Sequence, residues 1–187
     1  TDRVMVDIGS STGGFTDCAL QNKAKRVYAV DVGTNQLVWK LRNDSRVVVK
    51  EKTNFRHATT DLFEYELPNI ATIDVSFISL KLIFEPLKDI LNDGDDIVAL
   101  IKPQFEAGRE DVGKKGIVKD AKIHQRVIEN VISYANECQF SIQNLTYSPI
   151  TGGEGNIEFL AHFKVGGTNS LLQVEQVVQE AHDCFKG

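Results

Sequence analysis

Cysteine is sparse in this chain and basic charge is outweighed by acidic, and each shortage removes a class of protein. Cys18, Cys138 and Cys184 lie far apart, in no pairing or metal-binding spacing, which excludes a disulfide scaffold and fits a reducing cytoplasm. His57, His124, His162 and His182 form no HxxxH or Cys/His cluster, so no protein-bound metal is expected. Apolar runs such as Ile97–Ile101 are strand-sized, and none approaches the roughly 20 residues a membrane-spanning helix needs. The opening Thr-Asp-Arg lacks the pattern of a signal peptide. A net charge of −5 is unlike a stand-alone nucleic-acid binder, which gains affinity by releasing counterions from phosphates.

What the chain does contain is alternation. Short β-rich runs alternate with helical patterns, the signature of a mostly parallel sheet with helices on both faces, and 187 residues suffice for one such domain spanning 1–187. Strands are expected at Arg3–Ile8, Arg26–Val30, Arg46–Lys50, Asn69–Val75 and Asp95–Ile101, the last one apolar enough to be buried on both faces. Helices are expected after the Gly9–Gly14 turn, at Gln36–Arg42, at Leu80–Leu91 (bent or shortened by Pro86) and at Ala121–Cys138. Phe140–Tyr147 and Asn156–Lys164 are strands joined by Ser148–Gly155, too short for a helical crossover, so the last strand should be antiparallel. Asn169–Phe185 reads as a closing amphipathic helix.

The turn Asp7-Ile8-Gly9-Ser10-Ser11-Thr12-Gly13-Gly14 joins the first strand to a helix, where small residues let a ligand approach the backbone. It is neither GxGxxG nor a Walker loop. Asp7, two positions before the first glycine, suits a ligand's ammonium group and would repel a pyrophosphate. A tight turn that simply needs small residues is the bland alternative. Asp31 ends the second strand in AVDVG, where an acidic side chain binds a ribose diol in nucleoside-binding folds. Together they describe S-adenosyl-L-methionine rather than NAD.

Polar residues also end otherwise apolar strands: Asp74 in IDVSFISL, Lys102 in LIKPQFE, and Glu158 in GNIEFL, early in the last strand. In an open α/β sheet these ends line the ligand crevice. A lysine flanked by two acids suits activation of a weakly acidic hydroxyl, although a salt bridge at a sheet edge would use the same residues. Phe105–Val118, with Arg109, Lys114 and Lys115, reads either as a mobile loop over the acceptor site or as a merely solvated one. Arg42 and Arg56 are further, weaker candidates for phosphate contact.

DIGSSTGGFTD, YAVDVG with QLVWKLR, KTNFR, IDVSFISL, LIKPQFEAGREDVGKKGIV and GNIEF resemble the hemolysin A (TlyA-type) family of FtsJ-like ribose 2′-O-methyltransferases. The resemblance implies a Rossmann-like methyltransferase fold: a mostly parallel seven-stranded sheet with an antiparallel last strand. It also implies S-adenosyl-L-methionine as methyl donor, ribosomal RNA or a ribosomal subunit as partner, and a Lys-Asp-Lys-Glu tetrad. Asp74, Lys102 and Glu158 match the last three members. The donor site maps onto Asp7, Gly9, Ser11, Thr12, Gly13, Gly14 and Asp31, with Asn54 near the adenine. The first tetrad lysine and the family's small N-terminal RNA-binding domain belong upstream of Val4, so the chain is expected to be the catalytic part of a longer protein, whose remainder supplies basic surface. The rivals are an NAD(P)-binding oxidoreductase on the same fold and a membrane-active hemolysin. Asn169–Phe185 carries Glu175, Glu180 and Asp183 and no lysine or arginine, a poor match for an anionic membrane.

Overall fold

A computed structural model describes residues 2–186. Its strands are β1 (Val4–Ile8), β2 (Arg26–Val30), β3 (Val47–Lys50), β4 (Ile70–Ile73), β5 (Asp96–Ile101), β6 (Phe140–Tyr147) and β7 (Phe159–Val165). They form one sheet in the order β3-β2-β1-β4-β5-β7-β6. The pairs from β3 to β5 are parallel, whereas β7 runs antiparallel to both β5 and β6. Six strands therefore point one way and β7 the other, as the short Ser148–Gly155 connection requires.

Helices α1 (Gly14–Gln21) and α2 (Trp39–Arg42) cover one face, where Met5, Val27 and Ala29 meet Leu20, Leu37 and Leu41. On the other face lie α3 (Leu80–Ile90), α5 (Ala121–Glu137) and α6 (Val174–Cys184), which share the larger core. A one-turn helix, α4 (Pro103–Glu106), follows β5 directly. Helix α3 runs on through Pro86 to Ile90 because Leu80, Ile83, Phe84, Leu87 and Ile90 are all buried along one side. Burial of that stripe, on the order of 2 kcal/mol per side chain, outweighs the lost backbone donor.

Several expected boundaries shift, each for a local reason. Helix α6 begins at Val174 rather than Asn169, because the segment before it lies along β6. There the Ile142 amide donates to Asn169 Oδ1 at 3.0 Å, and the Ser170 amide donates to Ile142 O at 2.8 Å. Helix α2 begins at Trp39 rather than Gln36, since Asn35 has φ +58 and Val38 is extended, its amide bonded to Thr12 O at 3.2 Å. Strand β7 starts at Phe159, not Asn156, because the Asn156 side chain is taken up by the Val118 amide and by Gly116 O and Gly153 O. Strand β5 alternates: Ile97, Ala99 and Ile101 are buried, but Val98 and Leu100 only partly so. On that side α1 packs over β1 and β2 and α2 over β3, which leaves the outer face of β5 only partly covered.

Candidate active site

The carboxyl ends of β1, β2 and β4 converge. Gly9 and Ser10 donate their amides to Val30 O at 2.9 and 3.0 Å, and the Asp74 amide donates to Ile8 O at 2.9 Å. Gly9 has φ +80, and a Cβ there would lie 2.1 Å from the carbonyl oxygen of Asp74, so only glycine lets the β1 turn lie flush against the end of β4. Between these ends opens a cavity of ≈ 380 Å³, within the range of small-molecule sites. Its walls include Gly9, Ser11, Asp31, Asn54 and Asp74, with apolar surface from Val32, Phe55, Val75, Phe77 and Ile78.

Asp31 stands at the cavity wall with its carboxylate held by two main-chain donors, Ser11 N to Oδ2 at 2.7 Å and Gly33 N to Oδ1 at 2.9 Å. Fixed in this way, the carboxylate is a preorganised acceptor. Asn54 Oδ1 accepts from Arg56 N at 3.0 Å, which orients the amide of this cavity-lining residue. Of the eight residues expected to bind the donor, Gly9, Ser11, Asp31 and Asn54 are thus brought together.

Asp7, Thr12, Gly13 and Gly14 are not on the cavity wall. The alternation of β1 turns Asp7 toward α1, beneath the turn rather than into the cleft. It has 0% exposure, and its carboxylate accepts from Thr16 Oγ1 at 2.7 Å and Thr72 Oγ1 at 3.2 Å. Asp7 therefore ties β1 to α1 and β4 and supports the turn from below. Gly13 closes the turn at φ +108 against Leu37 and Leu41, and Thr12 receives the Val38 amide.

Burial pushes the Asp7 pKa from 3.8 to about 6, against the opposing effect of the two threonine hydroxyls. A carboxyl whose folded-state pKa is raised binds its proton more tightly when folded. It costs stability above pH 6, and that cost disappears as pH falls to the unfolded value. Asp7→Asn is accordingly expected to raise stability by up to roughly 3 kcal/mol at pH 8, with the gain shrinking to nothing by pH 4. Denaturant melts of both proteins at the two pH values check this; a variant less stable at pH 8 would mean that the ionised form is the one the fold favours.

The catalytic candidates come together at the neighbouring strand ends. Lys102, directly after β5, places Nζ 2.5 Å from Asp74 Oδ1 and 3.3 Å from Ser76 Oγ. Glu158 reaches the same edge because β7 runs backward, with Phe159 registered opposite Ile101. Its buried carboxylate accepts from Gln104 Nε2 at 3.0 Å. Burial raises its pKa, while the Gln104 hydrogen bond and the Lys102 charge pull it down. Glu106 links the two loops that carry the pair: its carboxylate accepts from Ser79 Oγ at 2.6 Å and from Leu80 N at 2.9 Å, capping α3.

Sequence reasoning missed Ser76, Gln104, Phe77, Val32 and Gln36. Gln104 and Ser76 had a signal, since each lies two residues from a strand-end charge. Phe77 had none: it is 89% exposed, has φ +65, and sets its ring 4.8 Å from that of Phe105. An exposed aromatic on strained backbone at the cavity mouth offers a flat apolar surface. The segment 105–118 is more structured than a solvated loop. Gly113 N donates to Ile117 O at 2.8 Å, Asp111 pairs with Arg126, and Asn156 fastens its end, while Arg109, Lys114 and Lys115 stay exposed. Arg42 is engaged by Glu51 at 2.8 and 3.0 Å, and Arg56 is exposed. Among the described residues there is no cluster of three or more potential metal ligands, and no helix long and apolar enough to cross a membrane.

The sequence model of the FtsJ-like methyltransferases matches residues 1–165. YqxC of Bacillus subtilis, named for rRNA methyl transfer, is 57% identical over 99% of this chain and 68% of its own length. The 16S/23S rRNA (cytidine-2′-O)-methyltransferase TlyA of Mycobacterium tuberculosis is 41% identical over 84% of the chain and 58% of its own length. Among solved structures, a protein of Streptococcus thermophilus described as a hemolysin superposes with a TM-score of 0.96 at 55% identity. That alignment covers 99% of this chain and 68% of the other.

Proposed function

The chain belongs to the FtsJ-like methyltransferase family, and on that premise we propose that it transfers a methyl group from S-adenosyl-L-methionine to a ribose 2′-hydroxyl of ribosomal RNA. The observation that carries this reading is the Lys102–Asp74 pair, with Glu158 beside it, at the edge of a nucleoside-sized cavity that has a fixed carboxylate, Asp31, on its wall.

The cavity fits the donor. Asp31 accepts from a ribose diol, Val32, Phe55 and Ile78 supply apolar walls for the adenine, and Gly9 leaves the backbone open to close approach. Asp74, also on the wall, makes the same cavity a poor place for a pyrophosphate, which disfavours the NAD(P) reading. When bound, the donor supplies an electrophilic sulfonium methyl group. The protein's task is then alignment. Lys102, held by Asp74 and Ser76, donates to the hydroxyl oxygen and fixes the direction of its free lone pair. As the oxygen–carbon bond forms, the hydroxyl becomes strongly acidic, and its proton leaves to a neighbouring carboxylate or to water. Phe77 and Phe105 offer a surface on which a base can stack.

The chain spans about two thirds of the length of YqxC, and the rest of such a protein would supply RNA affinity that an acidic domain lacks. A ribosomal substrate places the reaction in the cytoplasm.

Calorimetric titration with S-adenosyl-L-methionine, repeated on Asp31→Ala, tests the reading. Saturable binding is expected, weakened roughly 10- to 100-fold in the variant by loss of a charge-assisted hydrogen bond. A folded chain that binds no donor would overturn the proposal.

A further inference from the structure

Glu158 depends on a neighbour that the tetrad does not include. The Lys102 ammonium forms its ion pair with Asp74, and the group that bonds the Glu158 carboxylate is the side-chain amide of Gln104, in the turn of α4. The same oxygen also lies against main chain: a Cβ at Gly152 would lie 1.9 Å from Glu158 Oε2. Oε2 is therefore held by the Gln104 amide and crowded by the Gly152 backbone.

The Gln104 amide is itself held from one end. Its Nε2 donates to Glu158, while its Oε1 is buried and has no hydrogen-bond partner among the described residues. An unsatisfied buried carbonyl is costly, so the bond at the other end must outweigh that cost. A bond to a carboxylate does so best when the carboxylate is ionised. Turned end for end, the amide would aim its oxygen at the carboxylate oxygen, an arrangement that only a protonated Glu158 tolerates.

We propose that Gln104 is the positioning residue for Glu158: its amide fixes the carboxylate's orientation beside the Lys102–Asp74 pair and favours its ionised form. That this matters for methyl transfer rests on the function proposed above; the coupling itself does not. The charged groups facing Glu158 are Lys102 from the end of β5 and Asp74 from the end of β4, while the 148–155 turn presents Gly152 and keeps Glu154 exposed. Burial raises the Glu158 pKa, and the Gln104 bond opposes that rise along with Lys102.

The test is a carbon-detected NMR titration of the Glu158 carboxyl in the chain itself and in two variants. In Gln104→Leu the midpoint is expected to move up, since the amide donor that favours the anion is gone. In Gln104→Glu, which keeps the shape, two carboxyls would share one proton and titrate in two separated steps. An unchanged midpoint in the first variant, or independent single-step titrations in the second, would overturn the proposal. If the leucine variant does not fold, the glutamate variant decides alone. Donor calorimetry on the same samples separates the two ideas: shifted titrations without donor binding would leave the role of Gln104 standing and remove the methyltransferase reading.

Discussion

Lys102→Ala is expected to cut methyl transfer to ribosomal RNA by about 10²- to 10⁴-fold, the usual span for a positioned proton-handling group, while leaving donor affinity nearly unchanged. Both halves follow from where the side chain lies. Its Nζ bonds Asp74 and Ser76 at the neighbouring strand ends, and Lys102 is not on the wall of the cavity proposed for the donor. On the proposed mechanism its removal takes away the group that aims the acceptor hydroxyl, and no other cation pairs with Asp74 among the described residues. The orphaned Asp74 is partly exposed and can be hydrated, so the loss in stability should stay near 1 kcal/mol. Incorporation of labelled methyl groups into ribosomal subunits, measured beside calorimetry with the donor, separates the effects. Equal losses of binding and turnover would make Lys102 part of the donor site instead.

Gly9→Ala should be the most damaging single methyl group in the chain. The residue has φ +80, which alanine adopts only under strain, and its new Cβ would sit 2.1 Å from the Asp74 carbonyl oxygen. That atom is main chain at the end of β4 and cannot swing aside as a side-chain tip would. Either the β1 turn lifts away from β4 or the strand ends separate, and both distort the cavity wall that Gly9, Asp31 and Asp74 share. Strain and clash together should cost about 3 kcal/mol or more, a drop of about 6–12 °C in Tm for a domain of this size. Donor binding should be lost in whatever fraction still folds. A variant with ordinary Tm and unaltered affinity would mean that the turn has more slack than its hydrogen bonds suggest.

The sheet was legible because its strands are short, apolar and bounded by turn residues, and because Ser148–Gly155 is too short to carry a crossover. The trio Asp74, Lys102 and Glu158 was legible for a related reason: a charge at the end of an apolar strand is costly to desolvate, so it stands out against its neighbours. Asp7 shows where such reading stops. Its place in the motif suggested contact with a ligand, but the two-residue period of β1 turns it to the α1 face, onto Thr16 and Thr72. The start of α6 was hidden likewise, because Asn169 and Ser170 satisfy the edge of β6 rather than a helix. Gln104 and Phe77 matter through partners 54 and 28 residues away, Glu158 and Phe105, and no local pattern records such distances.

The backward course of β7 also sets the order in which the site is made. Every residue on the cavity wall lies between Ile8 and Ile83, and the strands behind it pair in parallel with one another. A ribosome releases that stretch first. Glu158 comes 75 residues after Ile83, and it takes its place only when β7 pairs with the open edge of β5, bringing β6 along as the other arm of its hairpin. The β5–β7 pairing spans about 60 residues and is slow compared with local pairing, and domains begin to organise while synthesis continues. The nascent chain thus holds every wall residue of the cavity well before it holds Glu158 beside the Lys102–Asp74 pair, so the two halves of the candidate site are gathered at different times.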